Sequence, residues 1–460
     1  MNDELGPKTP AADSALPSAP RRELTLFDST CIIVGIIIGA GIYRSSPDVA
    51  RQAPSVAWLI GLWLLGGFLS LLGALCYAEL ATAYPREGGD YVYLTRAFGR
   101  WVGFLFAWCQ LWIVRPGSIG VMAYAFAEYA NRIWPRAEDD SAVYVLMGYA
   151  VASILVLTLV NMLGVREGKW TQNVLTTAKV LGLAMIVAVG FAHAAPPAAT
   201  AVMQPDSPKL SLASFGFAMI FVLFTYGGWN EMAYVGAEVK DPRKNILRAL
   251  LTGTLAVTII YVLVNLAFVN ALGLAGARHP AVAAEVLELG LGPRAGQAIS
   301  LLICISALGA INGQIFTGAR IYYAMGSEHR LYAWLGRWNA RRGTPVASLL
   351  IQGAITLALV VGFGLSREGF ESMVKFTTPG FWFFLMLVGV SVFVLRHREP
   401  AVARPYRVLG YPVTPILFCL SCAFMVYTSL HYAVANRSWE AIWSIVVLLL
   451  GVLMSFYKRR

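Results

Sequence analysis

Charge is what this sequence has least of. Only 13% of its 460 residues are Asp, Glu, Lys or Arg, against 58% hydrophobic residues. Soluble chains carry about 25% charged residues, so there are too few charges here to cover a water-facing surface. A disulfide scaffold is excluded as well. The six cysteines, Cys31, Cys76, Cys109, Cys304, Cys419 and Cys422, all lie inside apolar runs with no metal-ligand spacing, and they read as small packing residues. No His-Glu-x-x-His run, Asp dyad or helically spaced Ser/Lys pair occurs in any apolar run. The five histidines, His193, His279, His329, His397 and His431, sit at the ends of those runs or in loops. These absences argue against a membrane-embedded enzyme, and no metal or cofactor is expected. No nucleotide-binding loop is visible, which removes ATP-driven chemistry. The net charge is +11, but Lys and Arg fall between hydrophobic runs rather than on one accessible face, so no nucleic-acid partner is expected.

What the chain does have is a series of apolar runs of membrane-crossing length. At about 20 residues per crossing of a hydrocarbon core of about 30 Å, spans are expected near 26–50, 56–84, 101–131, 142–163, 169–192, 212–237, 246–272, 294–325, 345–365, 370–396, 412–435 and 438–457. The expected fold class is therefore all-α and polytopic, with 12 transmembrane helices. Residues 1–24, rich in Ala, Pro, Ser and charge, read as a disordered tail. Arg86, Arg96, Arg100, Arg166, Lys169, Lys240, Arg243, Lys244, Arg248, Arg330, Arg337, Arg341, Arg342, Arg396, Arg398, Arg404 and Arg407 fall in loops on the side of the termini. The positive-inside rule makes both termini cytoplasmic.

Two spans are interrupted by paired glycines: the first at Gly39-Ala40-Gly41, the sixth at Tyr226-Gly227-Gly228-Trp229. Glycine costs a helix interior about 1 kcal/mol, and unwound backbone at membrane depth survives only where protein or a cavity satisfies it. Small-residue helix packing is the plainer explanation of either pair alone. Their relationship favours another. Breaks five spans apart lie in corresponding positions of two oppositely oriented halves, a pattern that points to a midplane binding site. The expected units are residues 25–192 (spans 1–5) and 212–396 (spans 6–10), with 412–457 (spans 11 and 12) outside a 5+5 inverted repeat.

The breaks also bring chemistry. The N–H groups of Gly39, Ala40, Gly41 and Ile42 start an outward half-helix and present its positive end to an anion. Carbonyls around Ile37, Ile38, Phe224 and Thr225 can accept from an ammonium. A carboxylate and an ammonium one carbon apart fit this arrangement, and they are the backbone of an α-amino acid. The third, eighth and tenth spans would line the side-chain pocket, with Phe224 as an apolar lid or an ordinary packing residue.

Several segments carry a family resemblance: Gly35 to Tyr43, Tyr77-Ala78-Glu79-Leu80, Pro85 to Tyr93, Arg115-Pro116, Phe224 to Glu231, Ala237 to Pro242, and Asn312-Gly313-Gln314 through Arg320. In their order and spacing the chain resembles the amino acid-polyamine-organocation superfamily, and within it the L-type amino acid transporters. The resemblance implies the fold of the sodium-coupled neurotransmitter transporters with spans 1 and 6 discontinuous, alternating access and amino acid substrates. It also draws attention to Lys179, which is similar to a fifth-span lysine whose ammonium replaces a structural sodium ion. Independently of the family, Lys179 lies about 15 Å from either end of its helix, beyond the reach of snorkelling. An ionisable residue at that depth is a functional candidate. It could brace the unwound first span or bind a proton, and either role puts it beside carbonyls near Gly35 and Ile36. The family often has a serine where this chain has Ala310, so Ser306, one turn earlier, is the candidate eighth-span partner.

Arg115 is expected to hold carbonyls or a carboxylate at the Pro116 kink, and Arg320 and Lys375 to snorkel or pair. Glu231 and Trp229 join Phe224 as gating candidates. The leading function is a secondary transporter of neutral L-α-amino acids, sodium-independent, working by exchange or coupled to protons. The alternatives are cationic amino acids or polyamines as substrates, or an amino-acid sensor without net transport. In animal L-type transporters a cysteine between spans 3 and 4 joins a glycoprotein heavy subunit. The corresponding segment, Asn131 to Asp140, has none, so no heavy-chain disulfide partner is expected, and the resemblance points to a bacterial inner-membrane protein whose partners are its substrate and lipid.

Overall fold

The computed structural model describes residues 20–135, 142–194, 212–364, 369–435 and 439–456. Most of the expected tail and part of the segment between spans 3 and 4 lie outside them. Among the described residues the named elements are all helices, and two isolated bridges are the only β pairing. Span 1 is the pair Leu26–Ile37 and Gly41–Gln52, bent by 50°. Span 2 is Val56–Ala83, and span 3 runs from Arg100 to Ile133 with a π-helical turn at Gln110–Val114. Spans 4 and 5 are Ala142–Leu163 and Val165–Ala192. Span 6 is the helix Leu212–Thr225 followed by a 3-10 segment, Trp229–Glu238. Spans 7 to 12 are Pro242–Ala277, Ala295–Glu328, Val346–Gly364, Gly369–Arg398, Val413–Ala435 and Trp439–Phe456.

Among the described residues nine helices are long and apolar enough to cross a membrane, and the bent pair makes ten. Neither half of span 6 is long enough alone, and the apolar part of the last helix is the shorter stretch Ile442–Ser455. Leu159, Leu181, Leu420 and Leu453 are more than half exposed on the outside of the bundle. An apolar exterior of this extent, over helices whose backbone groups bond internally, belongs in lipid. The protein is a multi-pass membrane protein.

Two helices were not expected. Asp90–Phe98 follows span 2 and Val282–Leu291 follows span 7. The first forms where sequence suggested only a loop: Gly88 and Gly89 turn the chain with φ of 87° and 42°, and Asp90 then places an acid at the start of a helix, where the dipole favours it. Spans 3 and 8 are the most buried, while spans 4, 5 and 11 face outward. Span 2 packs on span 7, span 3 on span 8 and span 4 on span 9, each against the helix five places later.

The face carrying Leu24, called here the N-terminal face, is tied together across the bundle. Leu24 bridges to Val239, just past the end of span 6. Glu79 accepts from Arg396 (2.8 and 2.5 Å) and from the Val408 N–H (2.7 Å). Arg320 pairs bidentately with Glu238 at 2.7 and 3.1 Å, with both side chains buried. Breaking a buried pair on one side typically costs about 3–5 kcal/mol, because it strands the other charge. Glu238→Gln is therefore expected to lower the thermal midpoint of the detergent-solubilised protein by several degrees, and adding Arg320→Met should recover part of the loss. A midpoint unchanged by Glu238→Gln would contradict this role.

Candidate functional site

The first helix starts on a capping box. The Thr25 N–H donates to Asp28 Oδ2 at 2.9 Å and the Asp28 N–H to Thr25 Oγ1 at 3.2 Å. It stops at Ile37, where the Gly39 N–H turns back to the Ile37 carbonyl at 2.8 Å. A new helix begins at Gly41, so its first-turn N–H groups have no acceptor within the helix and mark its positive end. In span 6 the chain leaves helix after Thr225 and passes through Gly228 at φ 115°, a conformation that glycine adopts without strain. A Cβ there would also come within 2.7 Å of Ile36 Cγ2, so the two breaks lie against each other. The Tyr261 hydroxyl, on span 7, lies 3.1 Å from the Ile37 carbonyl and 3.2 Å from that of Thr225. Its single proton is shared between the two broken helices.

Lys179 is fully buried on span 5. Its ammonium donates to the carbonyls of Gly35 (2.8 Å), Ile38 (2.7 Å) and Ser306 (2.9 Å). An ammonium has three donors, and all three are used. Two of the acceptors belong to the last turn of the first half-helix, where carbonyls lack N–H partners and the dipole is negative. Next to the cage, Asn312 donates to Gln172 Oε1 (2.9 Å) and the Gly168 carbonyl (3.1 Å), Asn161 donates to Asn312 (2.8 Å), and Thr176 to the Cys31 carbonyl (3.0 Å). Spans 1, 4, 5 and 8 are thus held by one polar cluster.

Between the breaks and spans 3, 8 and 10 lies a cavity of about 120 Å³. Residues Ile36, Ile37, Gly39, Gly41, Phe224, Thr225, Gly227 and Gly228 form its broken-helix wall. Opposite them the π turn of span 3 matters. Residues five apart align in π geometry, so Gln110 and Arg115 both reach the cavity and Arg115 Nε donates to Gln110 Oε1 at 3.2 Å. Arg115 also pairs with Glu231 at 2.7 Å, and Thr317 donates to Glu231 at 2.6 Å. Glu231 is the one carboxylate among the cavity-lining residues.

Several expected residues are placed differently. Ile38, Ala40, Ile42, Tyr226 and Trp229 are buried but do not line the cavity. The Ile38 carbonyl turns to Lys179, Tyr226 donates to the Trp63 carbonyl at 3.0 Å, and Trp229 packs edge-on to Tyr77 and Phe418. The carbonyls of Ile37, Phe224 and Thr225, expected to be free, are already engaged: Ile37 accepts from both the Gly39 N–H and Tyr261, Phe224 from the Gly227 N–H and Thr225 from Tyr261, so only Phe224 and Thr225 keep a second lone pair. Ser306 meets Lys179 through its backbone carbonyl rather than its hydroxyl, and Ile38 stands where Ile36 was expected. Of the two roles expected for it, Arg320 takes pairing, with Glu238 inside the protein, and Glu128 pairs with Arg44 at the far rim. Tyr261, Asn312, Gln172 and Thr317 carry contacts at the site that sequence reading did not assign. Asn312 alone had a signal, as part of the Asn312-Gly313-Gln314 segment.

On the N-terminal face, burial raises the Asp90 carboxyl to about 7, offset by hydrogen bonds from Tyr234 (2.7 Å) and Tyr77 (2.8 Å) that favour its charged form. Burial likewise raises Glu87 to about 7.

The Amino acid permease family model matches residues 24–453. Among similar relatives, the b(0,+)-type amino acid transporter 1 of Mus musculus is 30% identical over 438 residues, covering 95% of this chain and 88% of the relative. The Asc-type amino acid transporter 1 of Mus musculus is 31% identical over 426 residues, covering 89% and 77%. The Large neutral amino acids transporter small subunit 2 of Homo sapiens is 32% identical over 426 residues, covering 90% and 76%.

Two outcomes are expected from this geometry. A Cβ on Gly309 would lie 2.7 Å from the Lys179 ammonium, so Gly309→Ala should destabilise the solubilised protein by about 1–3 kcal/mol; a neutral result would show that the cage is loose. Glu87 binds its proton more tightly when folded than when unfolded, so its contribution to stability falls as pH rises from about 4.5 to about 7. Glu87→Gln should flatten the melting-temperature profile across that window, and an unchanged slope would contradict the burial effect.

Proposed function

Because the chain belongs to the amino acid permease family, we propose that it is a secondary transporter of neutral L-α-amino acids, working by alternating access as an exchanger or with protons. The observation that carries this is the cavity between two broken helices: the start of the helix at Gly41 faces one with no unpaired charge on its walls. The substrate carboxylate would sit at the start of the helix at Gly41, the residue of its first turn that lines the cavity. Its ammonium would take the second lone pairs of the Phe224 and Thr225 carbonyls. Gly39 and Gly227 also line the cavity as candidate contacts, and Phe224 is the candidate lid.

A neutral side chain is favoured because Glu231 is already engaged by Arg115 and Thr317. A cationic side chain would have to break a buried pair to find a partner. Sodium independence is favoured because the Lys179 ammonium occupies the carbonyl cage that a cation would otherwise fill. The units 25–192 and 212–396 would form the inverted repeat, a reading supported by the packing of spans 2, 3 and 4 on spans 7, 8 and 9. Both termini are assigned to the cytoplasm of a bacterial inner membrane. Opening on that side would then require parting the Leu24–Val239 bridge and the Glu79 and Glu238 ion pairs, with Glu231 and Trp229 at the moving end of span 6.

Uptake of labelled alanine or leucine into proteoliposomes tests this, with and without sodium, a pH gradient or internal amino acid. Counterflow that needs internal amino acid and not sodium is expected for exchange; uptake that follows an inward proton gradient establishes symport. Binding without any flux would make the protein a sensor. Lys179→Ala should abolish or uncouple transport while the protein still inserts. Gly41→Leu should reduce binding to background, because a Cβ there already lies 3.3 Å from the Thr225 side chain. Wild-type flux and pH response in the first, or retained affinity in the second, would contradict the assignment.

A further inference from the structure

The cavity wall carries a carboxamide that neither end of a zwitterion uses. Gln314, on span 8, lines the wall together with Ser118, Thr377 and Thr378. Apart from Ser118, its polar neighbours are engaged. Glu231 is held by Arg115 and Thr317, Gln110 Oε1 accepts from Arg115, and the Thr377 and Thr378 hydroxyls donate to the Met373 and Val374 carbonyls at 2.7 Å each. The Gln314 Oε1 atom, by contrast, is buried and has no hydrogen-bond partner among the described residues. A buried amide acceptor left unpaired is destabilising, and rotating the amide so that this oxygen meets a ligand in the cavity recovers the loss.

The chemistry of that ligand follows from the amide. A carboxamide offers a donor and an acceptor, and its two ends exchange places on rotation. It is met best by a group that can both donate and accept, which among side chains means a hydroxyl or another carboxamide. A side-chain ammonium would be left without a counter-ion, since a neutral amide does not offset the desolvation of a charge. Val121, Met122, Val374 and Phe381 complete the wall and suit the alkyl part of such a residue.

We propose that Gln314 sets side-chain specificity, and that the protein prefers neutral amino acids bearing a hydroxyl or carboxamide, threonine and asparagine, over their apolar isosteres valine and leucine. This rests on the transport function proposed above. The test uses the purified full chain in proteoliposomes, with labelled alanine counterflow inhibited by threonine against valine and by asparagine against leucine. One neutral hydrogen bond predicts inhibition by the polar member at concentrations about threefold to tenfold lower. In Gln314→Met, which keeps the length of the side chain, both ratios should fall to about one or invert. The wild-type ratios stand as a separate measurement should that variant fold poorly. Equal inhibition within each pair, or a preference for valine and leucine, would overturn the proposal while leaving amino acid transport intact. So would an undiminished polar preference in Gln314→Met. No uptake of any amino acid by the wild type would remove the transport function and this inference with it.

Discussion

The Lys179 ammonium is the contact on which the rest of the site depends. A helix that stops in the middle of a membrane leaves carbonyls without partners, in a medium that offers none. Here one cation takes two of those carbonyls and a third from span 8. The charge finds acceptors at the negative end of a half-helix, and the half-helix gains a stable end. Without that match both the buried charge and the broken backbone would be costly. With it, the second half-helix can begin at Gly41 with its N–H groups uncommitted. Tyr261 makes the same kind of contact on the other side, joining the two breaks through one hydroxyl.

The distribution of charge in the protein follows from this arrangement. Main-chain dipoles can hold both ends of a zwitterion, so the cavity needs no unpaired ionic side chain, and its one carboxylate is neutralised by Arg115. The paired charges gather instead toward the N-terminal face, where Glu79, Glu238 and Glu399 each meet at least one arginine. Such pairs hold elements together, the fully buried Arg320–Glu238 pair most firmly. That suits a face that is sealed in this conformation and parts in another.

Much of the architecture was legible in the sequence because the signals are physical ones. Runs of apolar residues of membrane length give the bundle, paired glycines inside two such runs give the breaks, and a lysine far from any helix end must be satisfied internally. The less legible features depend on direction rather than composition. Tyr261 sits in an apolar run and looks like packing until its hydroxyl is seen between two carbonyls. Nothing in Gln110 to Val114 announces a π turn, though Pro116 just beyond it marks a disturbed helix. The Ile38 carbonyl, rather than that of Ile36, meets Lys179 because the chain turns outward at the bend, and no pattern of residue types encodes that turn. The partner of Arg320 was hidden for a different reason: Glu238 is 82 residues away in the chain.

The most direct measurement is an experimental structure of the protein in lipid with a saturating amino acid such as L-asparagine. Ligand density is expected between the broken spans, with its carboxylate at the helix start at Gly41 and the Lys179 ammonium on the carbonyls of Gly35, Ile38 and Ser306. Continuous helices through Gly39–Gly41 and Gly227–Gly228, or a ligand bound elsewhere, would contradict it.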